Sequence, residues 1–237
     1  MRYDPPLIAG TLIRRYKRFL ADIRLPSGEV VTAHTANSGS MKGCSTPGSP
    51  VRLAPADKPG RKLRYDWEQI LVGETWVGVR PSLANDLAEE AIRAGVIPEL
   101  GGYGELRREV AYGSRGSRVD LVLSHPEAGR RAFVEVKSVS LAEGDVGLFP
   151  DAVSTRATKH MKELMEVVAG GDRGVLLYAV QRGDVRCVRP ADAIDPTYGA
   201  ALREAAAAGV ELLAYRVRLS EEAIALRDPL PVELPPA

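Results

Sequence analysis

The chain has 237 residues, of which 45% are hydrophobic and 27% charged, the proportions of a folded globular protein and not of a disordered one. No apolar run approaches the roughly 18 residues that a membrane span needs, and the opening Met1-Arg2-Tyr3-Asp4-Pro5-Pro6 lacks the apolar stretch of a secretory signal. Two cysteines, Cys44 and Cys187, are too few for a disulfide framework or a zinc cage. These features predict a cytoplasmic protein of about one and a half to two domains with no membrane partner.

The net charge of +1 is unevenly spread. Residues 1–80 carry 13 Lys/Arg against 7 Asp/Glu, and residues 81–237 carry 19 against 24. A basic N-terminal part beside an acidic remainder suggests that one module meets a polyanion.

Within residues 1–80, a half-buried strand is predicted over 19–25, where Phe19, Ala21, Ile23 and Leu25 alternate with Leu20, Asp22 and Arg24. Ser27-Gly28 turns the chain into a second strand at 29–34, and further strands are expected at 50–53, 63–70 and 75–79. About five short strands punctuated by Gly and Pro point to a small all-β barrel of the OB-fold type. The character changes at Pro81. Residues 82–94 have helical periodicity, with Asn85 or Ser82 as N-cap and Gly95 as the stop. Strands are predicted at 106–112, 118–123 and 132–137, followed by a long loop at 138–154 and a helix at 155–169. A buried strand at 174–181, a helix at 196–208 stopped by Gly209 and a strand at 211–219 complete an α/β (α+β) domain with a mixed sheet over 81–220. The proline-rich segment 221–237 reads as a surface tail.

Asp120 falls inside the strand at 118–123, and 15 residues later comes Val134-Glu135-Val136-Lys137. Residues two apart in a strand share a face, so Glu135 and Lys137 point one way and Val134 and Val136 the other. If the two strands are neighbours, two carboxylates and an ammonium converge. Carboxylate oxygens are the hard ligands that Mg2+ or Mn2+ prefers, and such an ion with a lysine beside it suits phosphodiester hydrolysis. Taking Leu87 as the centre of the buried face of helix 82–94 puts Glu90 at about −60°, on its shoulder, as a third metal ligand, and Glu89 on the far side. On helix 155–169, Ala157, Met161, Leu164 and Val168 form the core stripe, while Arg156, His160 and Glu163 line one edge, where Arg156 and His160 are placed to meet phosphate. Asp151 in the long loop is a candidate for metal, substrate or a turn.

From Gly10 to about Leu230 the chain resembles the sugar fermentation stimulation protein A family of bacteria and archaea. The matching stretches include Gly10-Thr11-Leu12-Ile13-Arg14-Arg15-Tyr16-Lys17-Arg18-Phe19, Asn37-Ser38-Gly39-Ser40-Met41, Glu90-Ala91-Ile92, Ile97-Pro98-Glu99-Leu100, Asp120 with Glu135-Val136-Lys137, Leu148-Phe149-Pro150-Asp151-Ala152 and Lys159-His160. The resemblance implies an N-terminal OB-fold joined to a PD-(D/E)XK nuclease-like domain, with DNA binding linked to the regulation of sugar metabolism. It places the nuclease-type pattern on Glu90, Asp120, Glu135 and Lys137; Val119 stands where the name of the pattern has proline.

In the N-terminal module, Arg14, Arg15, Lys17 and Arg18 flank Tyr16, with Lys42 in a later loop, and these are the expected nucleic-acid contacts. Basic groups track a backbone while aromatic rings stack on bases. Tyr65 and Trp67 are further candidates for stacking, whereas Phe19 and Trp76 are expected in the barrel core. Few elements here reach base edges, so low sequence specificity is expected. Three functions remain open: a DNA-binding regulator, on double or single strands, with a nuclease-like core; an active Mg2+-dependent nuclease on DNA or RNA; and a sugar-handling or small-molecule-binding protein. The sequence also leaves self-association open.

Overall fold

The computed structural model describes residues 1–56, 60–113, 116–125 and 129–236. Strands β1 (Ile8–Tyr16), β2 (Leu20–Arg24), β3 (Val30–His34), β4 (Pro50–Pro55), β5 (Tyr65–Val72) and β6 (Thr75–Gly78) pair in the order β3-β2-β1-β4-β5-β6, and the pairing of His34 with Asp66 joins β3 to β5. The sheet thereby closes on a core of Leu12, Ala21, Ile23, Val51, Leu53, Trp67, Ile70 and Val77. This is the all-β OB-fold barrel expected of the N-terminal part, with one strand more than the alternation predicts. In the extra strand, β1, only Leu12 is buried, and Arg14 and Arg15 mask the pattern.

Two aromatic expectations are reversed. Trp67 is fully buried, and its indole Nε1 donates to Gln69 O at 2.9 Å, so it is core and not a stacking surface. Phe19 is 42% exposed, and Trp76 is half-buried beneath the Arg52 guanidinium, 3.9 Å from the ring centre. The chain turns between β1 and β2 immediately before Phe19, which lifts that residue off the barrel wall.

The second sheet runs β15-β14-β12-β9-β8-β7. Its strands are β7 (Glu105–Tyr112), β8 (Ser117–Ser124), β9 (Ala132–Val139), β12 (Arg173–Val180), β14 (Glu211–Leu219) and β15 (Ile224–Leu230). β7, β8 and β9 form an antiparallel meander, while β9, β12 and β14 are parallel. β12 is buried on both faces, which explains its uninterrupted apolar run. Helix α1 (Ala84–Arg93) covers one face through Leu87, Ala88 and Ala91; α2 (Thr155–Ala169) and α3 (Pro196–Ala207) cover the other through Met161, Leu164 and Leu202. Ser154 caps α2 by accepting from Ala157 N at 3.2 Å, and Asp195 caps α3 by accepting from Tyr198 N at 3.0 Å. The mixed sheet with helices on both faces is thus the α/β class expected of this part.

Three segments differ from expectation. The loop after Lys137 contains the hairpin β10 (Leu141–Glu143) and β11 (Val146–Phe149), and β11 pairs in parallel with the short strand β13 (Cys187–Pro190). Residues 221–237 do not simply trail along the surface: β15 pairs antiparallel with β14, and Ile224 and Leu226 are buried. Its Pro229 is tolerated because β15 is an edge strand. Finally, neither Asn85 nor Ser82 caps α1, whose N-cap position is Leu83. The barrel is bonded to the α/β part through Gly78 N to Gln181 O at 2.8 Å and Gln69 Nε2 to Ser220 O at 2.8 Å. Among the described residues no helix is long and apolar enough to cross a membrane.

Candidate active site

The site begins where two strands part. β8 and β9 pair from Leu123↔Ala132 to Leu121↔Val134, and the pairing stops there. One residue beyond, the Asp120 carboxylate takes over the ladder's role: its Oδ2 accepts from the backbone N–H of Val136 at 2.7 Å, and its Oδ1 accepts from Asn85 Nδ2 on α1 at 2.8 Å. Asn85 is therefore a positioning residue that the sequence suggested only as a cap. Burial, and next the charge of Glu135, push the Asp120 carboxyl above its ordinary range, while the Val136 N–H pulls it back.

Glu135 and Lys137 share the face of β9 that looks onto α2, as the two-residue period requires. Glu135 is 1% exposed. Its Oε1 receives the Lys137 ammonium at 2.6 Å and a hydrogen bond from His160 Nδ1. Burial opposes the Glu135 charge most strongly, yet the His160 hydrogen bond and the Lys137 charge outweigh it and hold this carboxyl below its usual range. Arg156 Nε lies 3.4 Å from His160 Nε2, an arrangement that assigns the imidazole proton to Nδ1. Glu135 Oε2 is buried with no hydrogen-bond partner, and so are both oxygens of Glu163 and the Tyr112 hydroxyl. Glu163, read from the sequence only as an edge residue, is completely buried on α2, with Lys159 Nζ 3.9 Å from its Oε1.

The remaining candidates scatter. Glu90 does not join this cluster: it is exposed and paired with the N-terminal amine of Met1 at 2.7 Å. The cause is the phase of α1. Ala84 and Ala88, both buried, lie at about +60° and +100° from Leu87, which carries the centre of the buried face away from Glu90. Arg156, Lys159 and His160 line an open groove of about 630 Å3 with Arg118, a cation that sequence reasoning passed over because it lies in a strand. Asp151 joins the barrel to the α/β part. Its Oδ2 accepts from Ser40 Oγ at 3.1 Å and Met41 N at 3.3 Å, tying two recognisable motifs together across the two sheets.

On the barrel, Arg15 is committed to structure, donating to the carbonyl oxygens of Asn37, Gly39 and Ser40 at 2.9, 3.2 and 3.3 Å. Arg14 pairs with Asp22 at 2.8 Å, and the Tyr16 hydroxyl donates to the same carboxylate at 3.0 Å. Lys17, Arg18 and Lys42 are exposed. Arg18 lines a second cleft of about 410 Å3, between the barrel and the α/β part, that reaches Ser138, the neighbour of Lys137, and Ser154 at the start of α2.

No three His, Cys, Asp or Glu side chains are grouped to hold a metal ion among the described residues. Asp120 and Glu135 nevertheless fit a hard divalent cation: both are carboxylates, and Glu135 Oε2 is an acceptor stranded away from any donor. A cation that keeps several waters needs only one or two protein carboxylates. Asp120 and Glu135 would hold it; Glu90, on the far side of α1, would not.

Residues 13–79 match the model of an SfsA N-terminal OB domain, and residues 82–223 match the model of a sugar fermentation stimulation protein RE domain. The chain is 55% identical to the sugar fermentation stimulation protein homolog of Geobacter metallireducens over 99% of this chain and 100% of the relative. It is 56% identical to the homolog of Geobacter sulfurreducens over 96% of each. Among solved structures, Pyrococcus furiosus SfsA in complex with Ca2+ is similar with a TM-score of 0.86 at 30% identity, over 98% of both chains. With both halves matched in order and relatives alike over their whole length, the chain belongs to the sugar fermentation stimulation protein family.

Proposed function

We propose that the protein binds nucleic acid, DNA foremost, with low sequence specificity and hydrolyses phosphodiester bonds at Asp120, Glu135 and Lys137. The observation that carries this reading is Glu135, which is buried, bonded on one oxygen to the Lys137 ammonium and left with its other oxygen unsatisfied. A buried carboxylate oxygen with no donor costs on the order of 1–3 kcal/mol or more, a burden that proteins keep at sites of function. A divalent cation bound by Asp120 and Glu135 supplies Lewis-acid charge to the phosphate and lowers the pKa of water. Mg2+ and Mn2+ suit these oxygens, and the Ca2+ in the solved relative supports a divalent ion in this fold.

The chain's own groups do the rest. Asn85 and the Val136 N–H fix Asp120; His160 fixes the rotamer of Glu135. Lys137 orients the attacking water and stabilises charge on the phosphate. Arg156, Arg118 and Lys159, in the adjoining groove, neutralise flanking phosphates. Nicking of supercoiled DNA with Mn2+ tests the reading: wild type should cut at least about 100-fold faster than Lys137→Ala, and equal rates after identical purification exclude catalysis here.

A second reading is DNA binding without turnover, in a cytoplasmic regulator of sugar metabolism, as the family's name suggests. Glu135 Oε1 is already paired with the Lys137 ammonium and hydrogen-bonded by His160, which favours it. It predicts salt-dependent affinity with no cleavage under any divalent metal.

A further inference from the structure

Phe19 ends up at the tip of the β1–β2 hairpin, next in the chain to Arg18, which lines the cleft between the barrel and the α/β part. Lys17 and Arg18 precede it with φ of 46° and 64°, a left-handed conformation that costs non-glycine residues energy and persists only where the surroundings enforce it. Here Arg15 Nε donates to Arg18 O at 3.1 Å, Phe19 N to Lys17 O at 2.7 Å and Thr35 N to Phe19 O at 3.0 Å. The result is a firmly held tip with two exposed cations followed by an aromatic ring that is 42% exposed. That ring stacks on His34, with centroids 6.4 Å apart and planes 19° from parallel. Across the cleft, Val153 is 73% exposed and lines the wall.

We propose that this tip and cleft bind an unpaired stretch of single-stranded nucleic acid, with a base stacked on Phe19 beside His34 and its phosphates at Lys17 and Arg18. The inference rests on the nucleic-acid reading above and narrows it to strandedness. A side-chain ring meets the face of a base only when that face is not covered by its neighbours, as it is inside a duplex. Stacking on aromatic rings beside cations is the general means by which proteins hold single strands, and it tolerates any base. A cleft of about 410 Å3 is the size of a small-molecule pocket and has room for a nucleotide. Ser154 of this cleft adjoins Thr155 of the groove that Arg156 and His160 line, so a strand anchored at the tip leads toward the proposed reaction centre.

Fluorescence anisotropy of the full chain, in EDTA, with labelled oligo(dT), oligo(rU) and a hairpin duplex of equal phosphate number tests this. The wild type should bind a single strand at least tenfold more tightly than the duplex. Phe19→Ala should weaken single-strand binding roughly 5- to 150-fold and leave duplex binding unchanged, while Phe19→Trp should retain it. Comparing dT with rU shows which sugar the site accepts, and a Phe19-dependent loss on either supports the proposal. Equal loss on single strand and duplex, or no loss, overturns it while leaving nucleic-acid binding intact. A wild type that binds none of the probes overturns the underlying reading as well. Because Phe19 is exposed, the variant should fold, and an unchanged thermal melt confirms that the loss is local.

Discussion

Replacing Asp151 with alanine removes the clip between the two halves of the molecule. The carboxylate Oδ2 accepts from Ser40 Oγ at 3.1 Å and from Met41 N at 3.3 Å, and Met41 is 1% exposed. Gly39 packs so closely that a Cβ there would lie 2.6 Å from the same oxygen. Hydrogen bonds to a charged acceptor contribute about 1.5–3 kcal/mol each. Asp151 is half-buried, and Ser40 Oγ keeps a bond to Asp151 O at 3.0 Å, so the loss falls toward the lower end. A loss of about 2 kcal/mol in a chain of this size lowers Tm by about 4–8 °C. Scanning calorimetry should show that drop for Asp151→Ala, and Ser40→Ala should cost less in that background than in the wild type because the two share one bond. Asp145→Ala, which breaks only the exposed pair with Arg186, should melt within about 1 °C of wild type. An Asp151→Ala protein that melts with the wild type would show that the 37–41 loop is held by Arg15 alone.

Lys17→Ala/Arg18→Ala should flatten the log–log salt dependence of DNA affinity by about 2, from an expected slope near −4 to −5 for roughly five phosphate contacts; an unchanged slope excludes the hairpin tip from the interface. Arg15→Ala, by contrast, should lower Tm, since its guanidinium serves three loop carbonyls. Two neighbouring carboxyls should respond to pH with opposite signs. The lowered Glu135 value stabilises the fold above the ordinary glutamate pKa of 4.5, a contribution lost as pH falls from there through the folded value, so Glu135→Gln should cost stability at pH 7 and progressively less in acid. The raised Asp120 value makes its charge a burden that appears as pH rises from 3.8 through the folded value, so the wild type should lose stability relative to Asp120→Asn over that range, on top of the constant cost of the one hydrogen bond that the amide cannot accept. Melting curves of both variants between pH 3 and 8, run in EDTA to keep metal out, check the pair.

Much of this was legible in the residues, for identifiable reasons. Helix α2 and strand β14 fall at their expected bounds because apolar periodicity is unbroken in both. Glu135 and Lys137 were legible because a period of two leaves no choice of face once the strand is recognised. β1 hid behind its cations, and β15 behind Arg227, Asp228 and Pro229, although its buried Ile224 and Leu226 keep the two-residue alternation. Glu90 failed on a helix phase set by leucine alone, where two alanines carry as much of the packing. Phe19 failed because alternation was extended one residue past the true start of β2, into a turn whose left-handed residues carry no sequence signal. Nothing local could reveal that Asp151 meets Ser40, 111 positions away.

Central to the proposal is that Asp120, just beyond the end of the β8–β9 pairing, and Glu135 on β9 share a divalent cation beside Lys137. Soaking crystals in Mn2+ and collecting anomalous data tests this most directly. One peak within coordination distance of both carboxylates, absent from Asp120→Asn crystals, is the predicted result. No peak there at saturating Mn2+, with Glu135 still bound to Lys137 and His160, would contradict it.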